Sequence, residues 1–180
     1  IGGTGEPLLL VHGFGQNWYM WNRLLPALSK HFTIIAPDLP GLGESDKPDN
    51  GYDKKTLAAY LHELKKQLGY NNVNVAGHDI GLMVAYAYTA QYENEVKKLA
   101  LLDALLPGIE PVWSDVRAKA WWFGFFGWPA SGSIVTGKER EFLTNFWPVL
   151  VMFRMHLQKK RLRNLFGLIQ PESQPMALFT

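Results

Sequence analysis

The chain alternates between short apolar runs and longer segments in which apolar residues recur at helical spacing. Pro7-Leu-Leu-Leu-Val11 and Phe32-Thr-Ile-Ile-Ala36 have the length and character of buried strands, and residues 73–76 and 98–103 repeat that character. Helices are predicted at residues 18–29, 53–68 and 81–92. Strands that alternate with helices in this way predict βαβ units and a mostly parallel sheet with flanking helices, an α/β fold.

The alternation stops after Pro107. Residues 111–150 are rich in aromatic side chains and predict helices and turns rather than further strands. From residue 151 the composition changes again, to a segment that is strongly basic. The run of charges at residues 159–163 is most simply a solvated face.

Composition narrows the class of protein. The 180 residues are 47% hydrophobic and 19% charged, with a formal net charge of +2, which is typical of a globular domain and gives no signal for nucleic-acid binding. The chain has no cysteine, so disulfides, thiol nucleophiles and thiolate metal sites are excluded. No apolar run free of charge is long enough for a transmembrane helix. We expect no cofactor and no metal, whereas oligomeric state and localisation stay open.

Gly77-His78-Asp79-Ile80-Gly81 lies between the third predicted strand and the helix that follows it. A small residue on each side of a central polar one is the pattern of a strand-to-helix elbow that presents a nucleophile. The turn is tight and strained, and glycines let the strand and the helix approach closely. Such a turn would push the Asp79 carboxylate out at the carboxyl end of the sheet, where open α/β folds bind ligands. The alternative is that Asp79 is an ordinary helix N-cap.

Two upstream motifs support the elbow. His12-Gly13-Phe14-Gly15 follows the first strand, and Asp38-Leu-Pro-Gly-Leu-Gly-Glu-Ser45 is a glycine-rich loop after the second. With three motifs in this order, residues 1 to about 150 resemble the α/β-hydrolases of the epoxide hydrolase and dehalogenase group. The resemblance predicts a partial α/β-hydrolase fold. Its incomplete core would cover residues 1–110, the start of a helical cap residues 111–150, and a divergent basic tail residues 151–180.

The resemblance also implies a mechanism. In that group an aspartate replaces the more usual serine, attacks carbon in an SN2 step and forms an ester that water then hydrolyses. A carboxylate suits this attack because it is ionised at neutral pH and needs no base to activate it. By resemblance, Asp79 would be the nucleophile, the backbone N–H groups of Phe14 and Ile80 would form the oxyanion hole, and His12 and His78 would border the substrate pocket.

Asp103 ends the fourth predicted strand. Some members of the group keep at this strand end the acid that orients the catalytic histidine, so the resemblance assigns that role to Asp103. The alternative is a solvated aspartate at the start of a loop.

The histidine base that ester hydrolysis requires has no match in the chain. His31 and His62 lie on or beside surface helices, and His156 lies in the basic tail with no apolar strand before it. We therefore expect the chain to be the N-terminal part of a hydrolase, from a truncated or frameshifted gene. Such a chain would alkylate at Asp79 and stall, or do nothing.

Neutral residues follow the candidate nucleophile. By resemblance, haloacetate-type members of the group carry arginine directly after the nucleophile and nearby, whereas this chain has Ile80, Leu82 and Met83. Within that resemblance the difference favours a small apolar substrate that reacts with water, and hence an epoxide that opens to a diol. Trp121 and Trp122 keep the dehalogenase alternative open, because indole N–H groups can cradle a halide; packing within the cap is the other interpretation. A non-catalytic fragment or binding protein that retains the fold is a third possibility.

Overall fold

The computed structural model describes residues 1–152 of the chain. The chain divides into two compact units, Ile1–Ala120 and a second unit that begins at Trp121. The sequence suggested a boundary near residue 110, whereas the structure keeps the helix Val112–Lys119 in the first unit. Apart from residues 151 and 152, the basic tail lies outside the described residues.

Strands and helices alternate through the first unit. The strands are β1 (Gly2–Gly3), β2 (Glu6–Val11), β3 (Phe32–Ile35), β4 (Val73–His78) and β5 (Val96–Leu102). The helices are α1 (Leu25–Leu28), α2 (Lys54–Gln67), α3 (Ile80–Gln91) and α4 (Val112–Lys119), with 3-10 turns at Trp18–Trp21 and Glu93–Glu95. The second unit contains α5 (Trp121–Gly127), α6 (Ser131–Val135) and α7, described over residues 139–152.

The strands form one sheet in the order β1-β3-β2-β4-β5. β2, β3, β4 and β5 run parallel to their neighbours, and only the two-residue β1 pairs antiparallel, with β3. The chain goes from β2 to β3 on one side and then crosses to β4 on the other, so the loops after β2 and β4 diverge at the carboxyl edge. A crevice opens at such a switch point, and α/β folds bind ligands there. The mostly parallel α/β sheet predicted from the sequence is confirmed.

Alternate residues of β2 supply the hydrophobic core on the two faces of the sheet. Leu9 and Val11 belong to one buried cluster, which includes side chains of α2 and α3. Leu8 and Leu10 belong to another, with the buried Trp21. A central parallel strand that is covered on both faces has a continuous apolar sequence. The apolar run at residues 7–11 therefore predicted this strand correctly.

Two elements differ from the prediction. Residues 18–29 form a 3-10 turn and the short α1 rather than one helix. Pro26 has no backbone N–H to donate to the preceding turn, so it is tolerated in the first turn of α1 but not within a continuous helix. β1 was not predicted, since a pair of glycines carries no hydrophobic pattern. The N-cap prediction is confirmed: the Asp53 side chain accepts a hydrogen bond from the Thr56 amide at 2.9 Å, and α2 begins at Lys54.

A buried lysine joins α2 to the turn that precedes β5. Lys65 is only 1% exposed; its ammonium group donates to the Asn71 carbonyl oxygen at 2.8 Å and pairs with the Glu95 carboxylate. The His62 Nε2 atom lies 3.0 Å from the same carboxylate, and the His62 ring stacks on Tyr92 with a centroid distance of 3.8 Å. Hydrogen bonding to Lys65 is the main reason that the pKa of Glu95 is lowered.

We expect Glu95→Gln to destabilise the first unit by roughly 2 kcal/mol at pH 7, because the buried Lys65 charge loses its partner. The value stays below that of a fully buried pair, since Glu95 keeps part of its surface exposed. Because the pKa of Glu95 is lower in the folded state, its carboxylate stabilises the fold at pH values above the unfolded-state pKa of about 4.3. That stabilisation is lost as the pH falls through the folded-state pKa. Urea unfolding at neutral and acid pH measures both effects, and Glu93→Gln, an exposed neighbour, is the control. Equal stability of the two variants would contradict the prediction.

The second unit is held together by aromatic rings. Phe142 stacks on Phe146 with a centroid distance of 5.5 Å, and Trp121 and Trp122 each meet Phe146 edge to face at 6.0 Å. Phe146 is buried, whereas Trp121 stays half exposed and borders a groove of about 370 Å³ that side chains of α5, α6 and α7 line. These contacts support the interpretation that the aromatic residues pack within this unit.

Candidate active site

Asp79 occupies the bend between β4 and α3 in a strained conformation. Its φ is 57° and its ψ is −123°, in a region that residues other than glycine rarely adopt. An ordinary N-cap residue has extended backbone angles, and its side chain accepts from the second or third amide of the helix. The Asp79 side chain instead accepts from the adjacent Ile80 amide. Asp79 therefore precedes α3 without the geometry of an ordinary cap, which argues against the alternative left open by the sequence.

The two glycines of the elbow stand where a side chain would collide with backbone. A Cβ atom on Gly77 would lie 2.1 Å from the Gly81 carbonyl oxygen. A Cβ atom on Gly81 would lie 2.4 Å from the carbonyl oxygens of both Val11 and His12. The start of α3 therefore passes directly against the end of β2, and this close approach fixes the position of residue 79.

Two backbone amides converge on one oxygen of Asp79. The Phe14 N–H donates to Asp79 Oδ1 at 3.1 Å, and the Ile80 N–H donates to the same atom at 2.8 Å. Phe14 follows β2 and Ile80 begins α3, so the donors come from the two loops that diverge at the switch point. These are the two amides that the resemblance named for the oxyanion hole, and in the structure they hold the carboxylate itself.

Gly13 allows the segment after β2 to lie against the elbow. A Cβ atom there would come within 2.8 Å of Asp79 Cβ and 2.9 Å of His78 Nδ1. The Gly13 amide donates to Gln16 Oε1 at 3.2 Å, which closes the turn that presents Phe14. The sequence motif around residue 13 therefore sets the distance between the Phe14 amide and Asp79.

His12 is completely buried and uses both ring nitrogens. Its Nε2 atom accepts from the Leu39 amide at 2.9 Å, and its Nδ1 atom lies 3.0 Å from the Gly13 carbonyl oxygen. Burial lowers the pKa of His12, which favours the neutral ring that this accepting nitrogen requires. These bonds join the β2 loop to the glycine-rich loop, and the place of His12 beside the substrate pocket stays a prediction.

Asp38 organises the glycine-rich loop. Its two carboxylate oxygens accept from the Trp18 amide at 2.7 Å and the Glu44 amide at 2.9 Å. Gly43 adopts a φ of +54°, and a Cβ atom there would lie 1.9 Å from Asp38 Oδ2. The Asp38 carboxylate thus closes the loop at residues 38–45 through Glu44 and joins it to Trp18.

Asp103 lies directly after β5, next to His78. Its φ is 54°, and its Oδ2 atom is 3.7 Å from His78 Nε2. The Asp79 amide donates to the Leu102 carbonyl oxygen at 3.2 Å, so the end of β5 is bonded to the elbow. The structure therefore brings Asp103, His78 and Asp79 together at one edge of the sheet, while the assigned role of Asp103 stays a prediction.

Sequence reasoning did not single out Lys54. This residue is the first of α2 and is partly buried. Burial lowers the pKa of Lys54, while the negative charges of Asp53 and Asp79 raise it. A positive charge in the first turn of a helix is disfavoured by the helix dipole, so Lys54 does not stabilise α2 through that dipole.

The other predicted site residues lie elsewhere. Trp121 and Trp122 belong to the second unit, so their contact with a substrate stays a prediction. His62 belongs to the Lys65 network, and His156 lies outside the described residues. Within residues 1–152, no group of three or more histidine, aspartate or glutamate side chains could hold a metal ion. No helix in this part of the chain is long and apolar enough to cross a bilayer.

Comparisons with known proteins agree with the fold. The family described as alpha/beta hydrolase fold matches residues 6–136. The soluble epoxide hydrolase of Corynebacterium sp. (strain C12) is 48% identical over 107 residues, 59% of this chain and 37% of that protein. The fluoroacetate dehalogenase of a Burkholderia species is 35% identical over 134 residues, 70% of this chain and 43% of that protein.

Solved structures of similar fold match a larger share of the chain. The epoxide hydrolase CorEH superposes with a TM-score of 0.70 at 37% identity, over 81% of this chain and 53% of that one. The chain therefore spans about half of CorEH and less than half of the two curated relatives. Its sheet, its elbow and the extent of the family match lead to one conclusion: the chain belongs to the alpha/beta hydrolase fold family.

Proposed function

We propose that this chain carries the nucleophilic part of a hydrolase in which Asp79 attacks an electrophilic carbon and forms a covalent ester. The observation that carries the proposal is the hold of two backbone amides on Asp79 Oδ1 at a strained bend. Because Oδ1 is oriented in this way, we assign the attack to Oδ2. Strain of this kind is concentrated at functional sites and is maintained by surrounding structure.

The same amides would serve the second half of the reaction. Once Oδ2 has bonded to carbon, Oδ1 is the carbonyl oxygen of the ester, still facing the Phe14 and Ile80 amides. Addition of water places negative charge on Oδ1, which two preorganised donors stabilise. Asp103 is the proposed orienting acid for the base, and the base itself is not assigned among the described residues.

We assign epoxides as the preferred electrophile. Asp79 Oδ2 would bond to a ring carbon as the carbon–oxygen bond of the epoxide breaks, and the released oxygen would take a proton from water. Addition of a second water to the ester would then release a diol and restore the carboxylate. The relatives named epoxide hydrolase support this choice, and the neutral residues after Asp79 fit it. Dehalogenation is the second candidate, supported by the relative named fluoroacetate dehalogenase and by the tryptophans of α5.

Intact-protein mass spectrometry after incubation with styrene oxide tests the proposal. We expect a single addition of one probe molecule, located by peptide mapping at Asp79. Because the chain contains no cysteine, thiol alkylation cannot imitate this result. An unchanged mass, with no diol formed, would contradict a catalytic role. Epibromohydrin distinguishes the two candidates, since bromide release without ring opening would favour dehalogenation.

A further inference from the structure

Gln16 closes the turn after β2 and uses only half of its carboxamide to do so. Its backbone amide donates to the Gly13 carbonyl oxygen at 3.3 Å, and its Oε1 atom accepts from the Gly13 amide at 3.2 Å. In a carboxamide only the oxygen accepts hydrogen bonds, so this contact fixes which end of the group faces Gly13. The Nε2 group, with its two donor hydrogens, is not needed for the turn.

The Gln16 side chain lies against the base of the Asp79 side chain. A Cβ atom on Gly13 would lie 2.6 Å from Gln16 Oε1 and 2.8 Å from Asp79 Cβ. The same atom would lie 2.9 Å from His78 Nδ1. These three side chains therefore surround Gly13, and the Gln16 carboxamide stands beside the proposed nucleophile. The hydrogen bond from the Phe14 amide to Asp79 Oδ1 joins the same loop to the elbow.

The Nε2 group of Gln16 is an open donor. Within residues 1–152 no protein group accepts a hydrogen bond from it, and it is not sealed from solvent. Closing a turn or capping a helix requires only an acceptor, which the shorter side chains of Asn17, Asp38 and Asp53 supply elsewhere in this chain. Glutamine adds a donor to that acceptor. Beside a carboxylate nucleophile, such a donor can bind an oxygen atom that takes part in the reaction.

We propose that Gln16 Nε2 binds a neutral oxygen acceptor beside Asp79, either the oxygen of the substrate or a water molecule. This inference rests on the proposed function of Asp79. In the first case Asp79 Oδ2 bonds to carbon, the carbon–oxygen bond of the substrate breaks, and Nε2 stabilises the released oxygen, which keeps the electron pair until water protonates it. In the second case the water oxygen bonds to Asp79 Cγ, and the alkyl oxygen of the ester leaves as an alcohol with one proton. The other proton passes to solvent as the carboxylate is restored.

Styrene oxide and 2-phenylethyl bromide form a matched pair of probes. Each is neutral and carries a phenyl ring on a two-carbon chain, but oxygen is released from carbon in the first and bromide, with its electron pair, in the second. Intact mass gives the rate of adduct formation with each probe, and the rate in Asp79→Asn is subtracted as background. After excess probe is removed, loss of the styrene oxide adduct gives the rate of ester hydrolysis.

Two variants separate the two halves of the carboxamide. Gln16→Glu keeps the size of the side chain and an oxygen that accepts from Gly13, but it loses the donor, whereas Gln16→Met loses both. If the substrate oxygen is the acceptor, we expect the epoxide-to-bromide rate ratio to fall about fivefold in both variants, as loss of one hydrogen bond predicts. The new charge of Gln16→Glu acts on two neutral probes and therefore cancels in the ratio.

If water is the acceptor, the ratio should stay constant and the hydrolysis rate should change instead. We expect Gln16→Met to slow ester hydrolysis about fivefold. Gln16→Glu should speed it, because a carboxylate accepts a proton from the same water. Gln67→Met, at the exposed end of α2, is the control and should alter neither the ratio nor the hydrolysis rate.

The outcomes separate the role of Gln16 from that of Asp79. If both variants match the unaltered chain in ratio and in hydrolysis rate, the role of Gln16 is overturned while Asp79 remains the nucleophile. A change confined to Gln16→Met overturns it too, because the side chain would then serve only to hold Gly13. If neither probe gives an adduct that depends on Asp79, the proposed function fails and the role of Gln16 fails with it. Gln16→Glu retains the turn contact, so it remains decisive if Gln16→Met folds poorly.

Discussion

Replacing Gly81 with alanine is expected to destabilise the first unit by about 3 kcal/mol or more. The new methyl group would lie 2.4 Å from the carbonyl oxygens of Val11 and His12, which are backbone atoms of a central strand end. A flexible side chain could move aside, but this backbone is held by the pairing of β2 with β4, in which Val11 stands opposite Gly77. Urea unfolding followed by far-UV circular dichroism measures the loss.

Gly2→Ala is the matched control for this substitution. Gly2 also lies in a strand of the first unit, but a Cβ atom there would meet nothing within 4 Å. We expect its unfolding free energy to change by no more than about 0.5 kcal/mol. If Gly81→Ala proved as stable as Gly2→Ala, the close approach of α3 to β2 would be refuted.

The second large effect is the loss of alkylation in Asp79→Asn. The amide keeps the shape of the side chain and an oxygen that can accept from the Phe14 and Ile80 amides, but it removes the anionic nucleophile. We expect the rate of adduct formation with styrene oxide to fall at least about a thousandfold, as removal of a nucleophile does in other enzymes. Intact mass recorded over time gives the rate.

Asp49→Asn removes the same charge from an exposed loop position. Its adduct formation should match that of the unaltered chain, which separates the chemistry of residue 79 from a general loss of negative charge. Unfolding curves of both variants check that each is folded. Persistent alkylation in a folded Asp79→Asn variant would assign the reaction to another residue.

Much of the core was predictable because burial leaves a mark in the sequence. The apolar run at residues 7–11 predicted β2, and Asp53 predicted the start of α2, since each depends on its own local segment. The glycines at 77 and 81 predicted a close approach, and the structure shows which atoms approach. Pro26 also carried information, and weighing it against the apolar spacing would have divided the predicted helix at residues 18–29.

Properties that depend on distant residues were not predictable. The burial of His12 follows from the Leu39 amide, which lies 27 positions further along the chain. The proximity of Asp103 to His78 follows from the pairing of β4 with β5, which no local segment of the sequence reveals. In both cases the sequence named the residue type, and the three-dimensional arrangement supplied its neighbours.

The close approach of α3 to the end of β2 assigns the steric fit of the turn and its proposed chemistry to different residues. Steric room at the turn depends on glycine at positions 77 and 81, whereas the proposed nucleophile stands at position 79. If Asp79 is the nucleophile, a replacement at residue 79 would change the chemistry while the glycines at 77 and 81 keep the close approach of α3 to β2. Such an arrangement lets one architecture diversify its chemistry through single substitutions.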